Sequence, residues 1–156
     1  MGSINRQVKK LPNICQWAYY NIVPFEDRYG NEYKKTLAFL MKSSKWSEVS
    51  RKDYQLTEMK HLLSHCYWNV PYYRKIFIDN RWTVEDFQTV EDIKNFPVLT
   101  KKIIMDNQKD LIAQNFKHQR PYPITTSGSS GDKLQIFVND DVFKREAAFN
   151  MRAYIE

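Results

Sequence analysis

One change of period, near residue 120, constrains this chain more than any other feature. Before it, apolar residues recur every three or four positions. Tyr33, Leu37, Leu40 and Met41 share one face of residues 31–42, and Met59, Leu62, Leu63, Cys66 and Val70 recur at helical spacing along and just past residues 53–69. That spacing predicts amphipathic helices. After it, Tyr122 and Ile124 alternate with prolines and threonine, and Leu134, Ile136 and Val138 alternate with Gln135 and Phe137. That is the period of half-buried strands, joined here by TTSGSSGDKL at 125–134. Asn139, Asp140 and Asp141 then supply the start of a terminal helix with Phe143, Ala147, Met151 and Tyr154 on its apolar face. The expected fold class is a mainly α N-terminal region followed by a β-hairpin and a helix.

Proline and glycine set the boundaries. Pro12, Pro24 and Gly30 punctuate an aromatic segment holding one short helix, and Pro71 stops the helix of 53–69, with a short helix restarting over 72–78. TVEDFQ at 83–88 is followed directly by TVEDIK at 89–94. In each copy Thr precedes Asp by three residues, a relative of the capping box, so two helical turns begin at Thr83 and Thr89. Thr100 caps a further helix at 101–106. Three regions result: 1–30, 31–120, and 121–156 with its strand–loop–strand–helix.

The 156 residues suffice for one domain with an apolar core, and 15% aromatic content argues against disorder. The net charge of +6 is spread along the chain with acidic residues between the basic ones. No basic block marks a nucleic-acid footprint, so no nucleic-acid partner is expected. Cys15 and Cys66 form no CxxC pair, which fits a reduced, cytoplasmic setting rather than a disulfide framework. The N-terminus lacks the apolar run of a signal peptide. ICQWAYYNIVPF at 14–25 is too short and too polar to span a bilayer. Such a segment can lie on a membrane or against a partner, but docking on the core is the commoner case and the one expected here.

The Ser/Gly run is the main candidate for chemistry. Polyphosphate binding needs several backbone N–H groups that converge, which glycine permits, and short hydroxyls as further donors. Ser127, Gly128, Ser129, Ser130 and Gly131 supply both, yet the same residues make an ordinary turn. GSSGDK lacks the spacing of a Walker A loop. His61 and His65 stand four apart without a third ligand cluster, so no metal site is expected. No Ser–His–Asp or Cys–His arrangement is argued by any spacing. CYWNVPYY at 66–73 reads as packing around a helix end rather than a platform for stacked bases.

Taken together, LLSHCYWNVPYYRKIF (62–77), TVEDIKNFPVLTKKIIMDNQKDLIA (89–113) and TTSGSSGDKLQIF (125–137) follow the order and spacing of one family. The chain resembles the phenylacetate–CoA ligase-like, CapK-type branch of the adenylate-forming enzymes. YGNEYKKTLAFLMKSSKWS (29–47) is similar to that branch's N-terminal region. The resemblance implies the incomplete N-terminal part of the α/β adenylate-forming fold, and a loop that holds ATP phosphates during activation of a carboxylate. By position Thr126, Ser127, Gly128, Ser129, Ser130 and Gly131 match the phosphate loop, with Thr125 and Lys133 beside it. ATP, magnesium and, for onward acyl transfer, coenzyme A are the implied cofactors. Surface polysaccharide biosynthesis is the implied setting.

Two departures stand out. Many adenylate-forming enzymes place a lysine where this chain has Leu134; Lys133 is one position early, and one residue turns a strand side chain to the other face. Asp132 adds a negative charge beside the presumed phosphates. Family enzymes are also roughly three times as long, a multidomain size, and keep their adenine, ribose and metal contacts downstream. The terminal helix has no stop signal before Glu156. The chain is therefore expected to be an N-terminal piece, inactive alone, with a partner chain completing the fold. The alternative is a non-catalytic binding module derived from such an enzyme.

Overall fold

The computed structural model describes residues 7–115, 121–126 and 134–155. It is mainly helical, with a two-stranded antiparallel hairpin followed by a C-terminal helix, the order that the change of period predicts. Helices α1 (Asn13–Ile22), α2 (Phe25–Ser43), α3 (Glu48–Asn69) and α4 (Pro71–Asn80) come first. Two 3-10 turns follow, Val84–Asp86 and Val90–Asn95, then a short α5 (Lys101–Asp106). Strand β1 (Tyr122–Thr125) pairs with β2 (Gln135–Val138), and α6 (Asp140–Ile155) comes last. The chain divides into two compact units, one of Met1–Trp46 with Val138–Glu156, the other of Ser47–Phe137.

In the first unit α2 packs on α6. Tyr33 and Leu40 from α2 and Ala148 from α6 are buried, with Tyr29, Leu37, Phe39, Ala147 and Met151 packed around them. Arg145 Nε donates to Glu32 Oε1 at 2.6 Å and ties the same two helices together at the surface. Gly30 breaks α2 with φ 73° and ψ −164°, a conformation nearly closed to side-chain-bearing residues. The expected face of the terminal helix needs correcting. Ala148 is fully buried, whereas Tyr154 is 87% exposed. Met151 is the last α6 residue packed against this core, so the turn that carries Tyr154 lies beyond it.

The expected docking of residues 14–25 also needs correcting. Helix α1 forms, but it has no buried residue. Ile14, Trp17 and Ile22 are 75%, 66% and 75% exposed. Tyr19 and Tyr20 are half-buried instead. Arg28 explains part of that inversion: its guanidinium donates to the carbonyls of Tyr20 (2.7 Å) and Val23 (2.8 Å) and sits over the Tyr20 ring. It thereby satisfies carbonyls that the end of α1 leaves unpaired.

The second unit is built on aromatic rings. α3 starts at Glu48, earlier than its apolar spacing predicts, because Ser47 Oγ accepts the Ser50 N–H at 3.1 Å. A cap can extend a helix through a polar stretch that carries no periodic signal. Val70 is extended (φ −116°) and Pro71 occupies the first position of α4, as its missing N–H allows. The carbonyls at the end of α3 are met from outside the helix. Arg74 donates to those of Tyr67 (2.9 Å) and Trp68, and the Gln114 N–H donates to that of Asn69 (2.8 Å).

Leu63, Phe77 and Phe87 form the buried centre, with Met59, Tyr67, Trp82, Val84 and Phe96 against it. Phe96 lies 5.2 Å from Phe87, 5.4 Å from Phe77 and 5.3 Å from Trp82, ring centroid to centroid. The TVED echo does form two capped turns. Asp86 Oδ2 accepts the Thr83 N–H at 2.6 Å and Asp92 Oδ2 the Thr89 N–H at 2.7 Å. Phe87 and Phe96 immediately follow the two turns, and both rings meet Phe77. Two details differ from the sequence reading. Leu62 is exposed on α3, and the strand alternation is clean only in β1, since both Ile136 and Phe137 of β2 are exposed.

Candidate functional site: the hairpin neck

The candidate phosphate loop springs from a closed neck. β1 and β2 pair, and beyond the strands the Thr126 N–H donates to the Leu134 carbonyl at 2.9 Å. The Thr126 hydroxyl completes the closure, accepting the Leu134 N–H at 3.3 Å and lying 3.4 Å from the Leu134 carbonyl oxygen. Thr125 and Thr126 are both exposed, whereas Leu134 is half-buried. Ser127, Gly128, Ser129, Ser130, Gly131, Asp132 and Lys133 lie outside the described residues.

This neck has a chemical consequence. Both donors of Thr126 face Leu134, so its N–H and hydroxyl are engaged in the neck. Short strands that end on one paired threonine bring the two ends of the Ser/Gly run together. Loop amides that converge on one point can hold an anion. Thr125, at the end of β1, lies on the exposed side of the strand with Pro123.

The other candidates resolve simply. His61 Nδ1 is 3.5 Å from Glu58, one turn earlier on α3, and His65 Nδ1 is 3.2 Å from the Asn69 amide, one turn later. Among the described residues no group of three or more His, Cys, Asp or Glu could hold a metal ion. Burial raises the Cys66 thiol above its ordinary pKa, which disfavours the nucleophilic thiolate. In CYWNVPYY, Tyr67 packs edge-on to Phe77 (5.5 Å) and Tyr73 against Phe96 (6.4 Å), as packing around a helix end predicts, while Trp68 is exposed. No described helix is long and apolar enough to cross a membrane.

The outward row of Ile14, Trp17 and Ile22 on α1 runs against the expected docking of residues 14–25 on the core. A signal for it was present: Tyr19 and Tyr20 can bury a ring while keeping a polar tip, so they compete with the aliphatic face for the protein side. No model of a known protein family matches the chain, and no curated protein matches it either.

Proposed function

We propose that this chain is the N-terminal, phosphate-gripping part of an ATP-dependent ligase that activates a carboxylate as its acyl-adenylate, of the phenylacetate–CoA ligase-like, CapK type. The observation that supports the reading is the hairpin neck, where Thr126 pairs with Leu134 at the base of the Ser/Gly run. In this reading Ser127, Ser129 and Ser130 offer hydroxyls, and Gly128 and Gly131 let backbone amides approach the phosphates. Bound ATP would supply the electrophilic α-phosphorus. Magnesium would be held largely by phosphate oxygens, as that ion prefers. Coenzyme A belongs to the onward acyl transfer, and surface polysaccharide assembly is the setting that the resemblance suggests.

The chain alone does not complete the reaction in this reading. In-line attack requires ATP and carboxylate to be held together, and positioning of that kind supplies much of the rate enhancement. One hairpin grips phosphates without orienting adenine, ribose or acid. A partner chain or further sequence supplies those contacts.

Titration of MgATP into the purified chain tests the grip. Saturable binding is expected, and Gly128→Val with Gly131→Val weakens it by about ten-fold or more, the loss of one or two charge-assisted hydrogen bonds. Absence of binding, or binding indifferent to both substitutions, overturns the phosphate-loop reading. Carboxylate-dependent ATP–pyrophosphate exchange by the 156-residue chain would overturn the claim of inactivity alone. The second reading, a binding module without chemistry, draws on the exposed apolar side chains of α1.

A further inference from the structure

Helix α1 is built inside out. Its half-buried residues include Gln16, Tyr19 and Tyr20, and its exposed ones include Ile14, Trp17 and Ile22. On a helical projection Ile14, Trp17 and Ile22 fall within an arc of about 140°, the width of an apolar stripe that normally faces a core. Leu11, just ahead of the helix, is exposed as well. Arg28 fixes the opposite side through the Tyr20 carbonyl and ring. The helix is therefore anchored by one side while its apolar side chains face away.

Charge decides what covers them. From Gln7 to Pro24 the charged side chains are Lys9 and Lys10, both exposed, and no acid occurs in that stretch. The nearest acids, Glu26 and Asp27, lie past Pro24, and Asp27 is paired with Lys34 at 2.5 Å. Basic side chains next to a Trp-bearing apolar stripe match an anionic lipid surface, where indole prefers the headgroup level and lysine the phosphates. A second copy of this chain would bring the same two lysines and no acid from this stretch, and of the two nearest acids Asp27 is already engaged.

We propose that α1 is a membrane-surface anchor. It lies along an anionic bilayer, with Ile14, Trp17 and Ile22 at the headgroup–acyl boundary and Lys9 and Lys10 against lipid phosphates. Ten residues make a reversible attachment, not an insertion. The inference is independent of the ligase reading, since it uses no residue of the hairpin.

The test is co-sedimentation of the whole chain with vesicles of phosphatidylcholine, alone or equimolar with phosphatidylglycerol. Partitioning to the anionic vesicles, weakened by salt, is expected. Replacing Lys9 and Lys10 by Gln lowers it about five-fold for each charge removed. Ile14→Gln with Trp17→Gln lowers it about ten-fold or more. Both positions are exposed, so the thermal unfolding midpoint should hold in that variant. Should it not, quenching of the unaltered chain's fluorescence by brominated lipids, lost on Trp17→Phe, reads the same contact. Equal partitioning to both vesicle types, no effect of the apolar substitutions, or no quenching overturns the proposal. A concentration-dependent dimer dissolved by Trp17→Gln, without vesicle binding, does so too and assigns the face to a second copy.

Discussion

Asp92 holds two backbone amides at once, accepting the N–H of Gln88 at 2.9 Å and of Thr89 at 2.7 Å. The bond from Thr89 is the main reason its carboxyl titrates below the ordinary aspartate range. A carboxyl acidified by folding stabilises the fold while it is ionised. That contribution is present above the unfolded-state pKa and is lost as pH falls through the lower folded-state value. Asp92→Ala should therefore lower the unfolding midpoint at neutral pH, and the gap from the parent should close as acid titrates the carboxylate. A gap of constant size down to acid pH would show that the lost contact is not ionic. Phe77 acts through volume instead. It is 0% exposed and touches the rings of Tyr67, Phe87 and Phe96. Phe77→Ala should cost about 3–5 kcal/mol by urea unfolding, the range for emptying an aromatic site in a core.

Helix α2 turns on one glycine. Nothing lies within 4 Å of a Cβ added at Gly30, so the space is open, yet φ is +73°. Gly30→Ala should thus destabilise by about 1–3 kcal/mol through backbone strain alone, measured by urea unfolding. A neutral result would mean that the break in α2 relaxes when glycine is lost. At this scale the sequence was most legible where a local rule acts by itself. Thr83 with Asp86, Thr89 with Asp92, and Pro71 all act within a few residues, and the structure has the expected turns and break there. It was least legible where the choice depends on distant partners. Leu62 and Leu63 are equally apolar, and only the arrival of Phe77 and Phe87 decides that Leu63 is buried and Leu62 exposed. The outward side of α1 depends on Arg28, beyond the intervening Pro24, and Tyr154 is left outside because the α2 contact ends at Met151. For the candidate site, composition marked the Ser/Gly run but not the neck. That Thr126 turns both its donors to Leu134 follows from strand pairing, which single residues do not announce.

At the scale of the whole molecule, each of the two compact units has a buried cluster of its own. Ser47–Phe137 forms a compact unit of its own, entered at the Ser47 cap and centred on Leu63, Phe77 and Phe87. Its helix ends are satisfied from within: Arg74 serves the carbonyls of Tyr67 and Trp68, Gln114 that of Asn69, and the Tyr72 N–H donates to Asp110. A unit that buries its own rings and pairs its own helix ends meets the physical requirements for folding alone. A polypeptide of residues 47–137 should therefore show helical circular dichroism and one cooperative urea transition, and Phe77→Ala within it should abolish that transition at 25 °C, since a unit this small has only a few kcal/mol to lose. The same polypeptide contains the Ser/Gly run but not α1. If the proposals above hold, it keeps MgATP binding and loses partitioning to anionic vesicles. A fragment that unfolds without cooperativity would show that its aromatic centre needs the other unit. A cooperative fragment that still sediments with anionic vesicles would move the lipid contact away from Ile14 and Trp17.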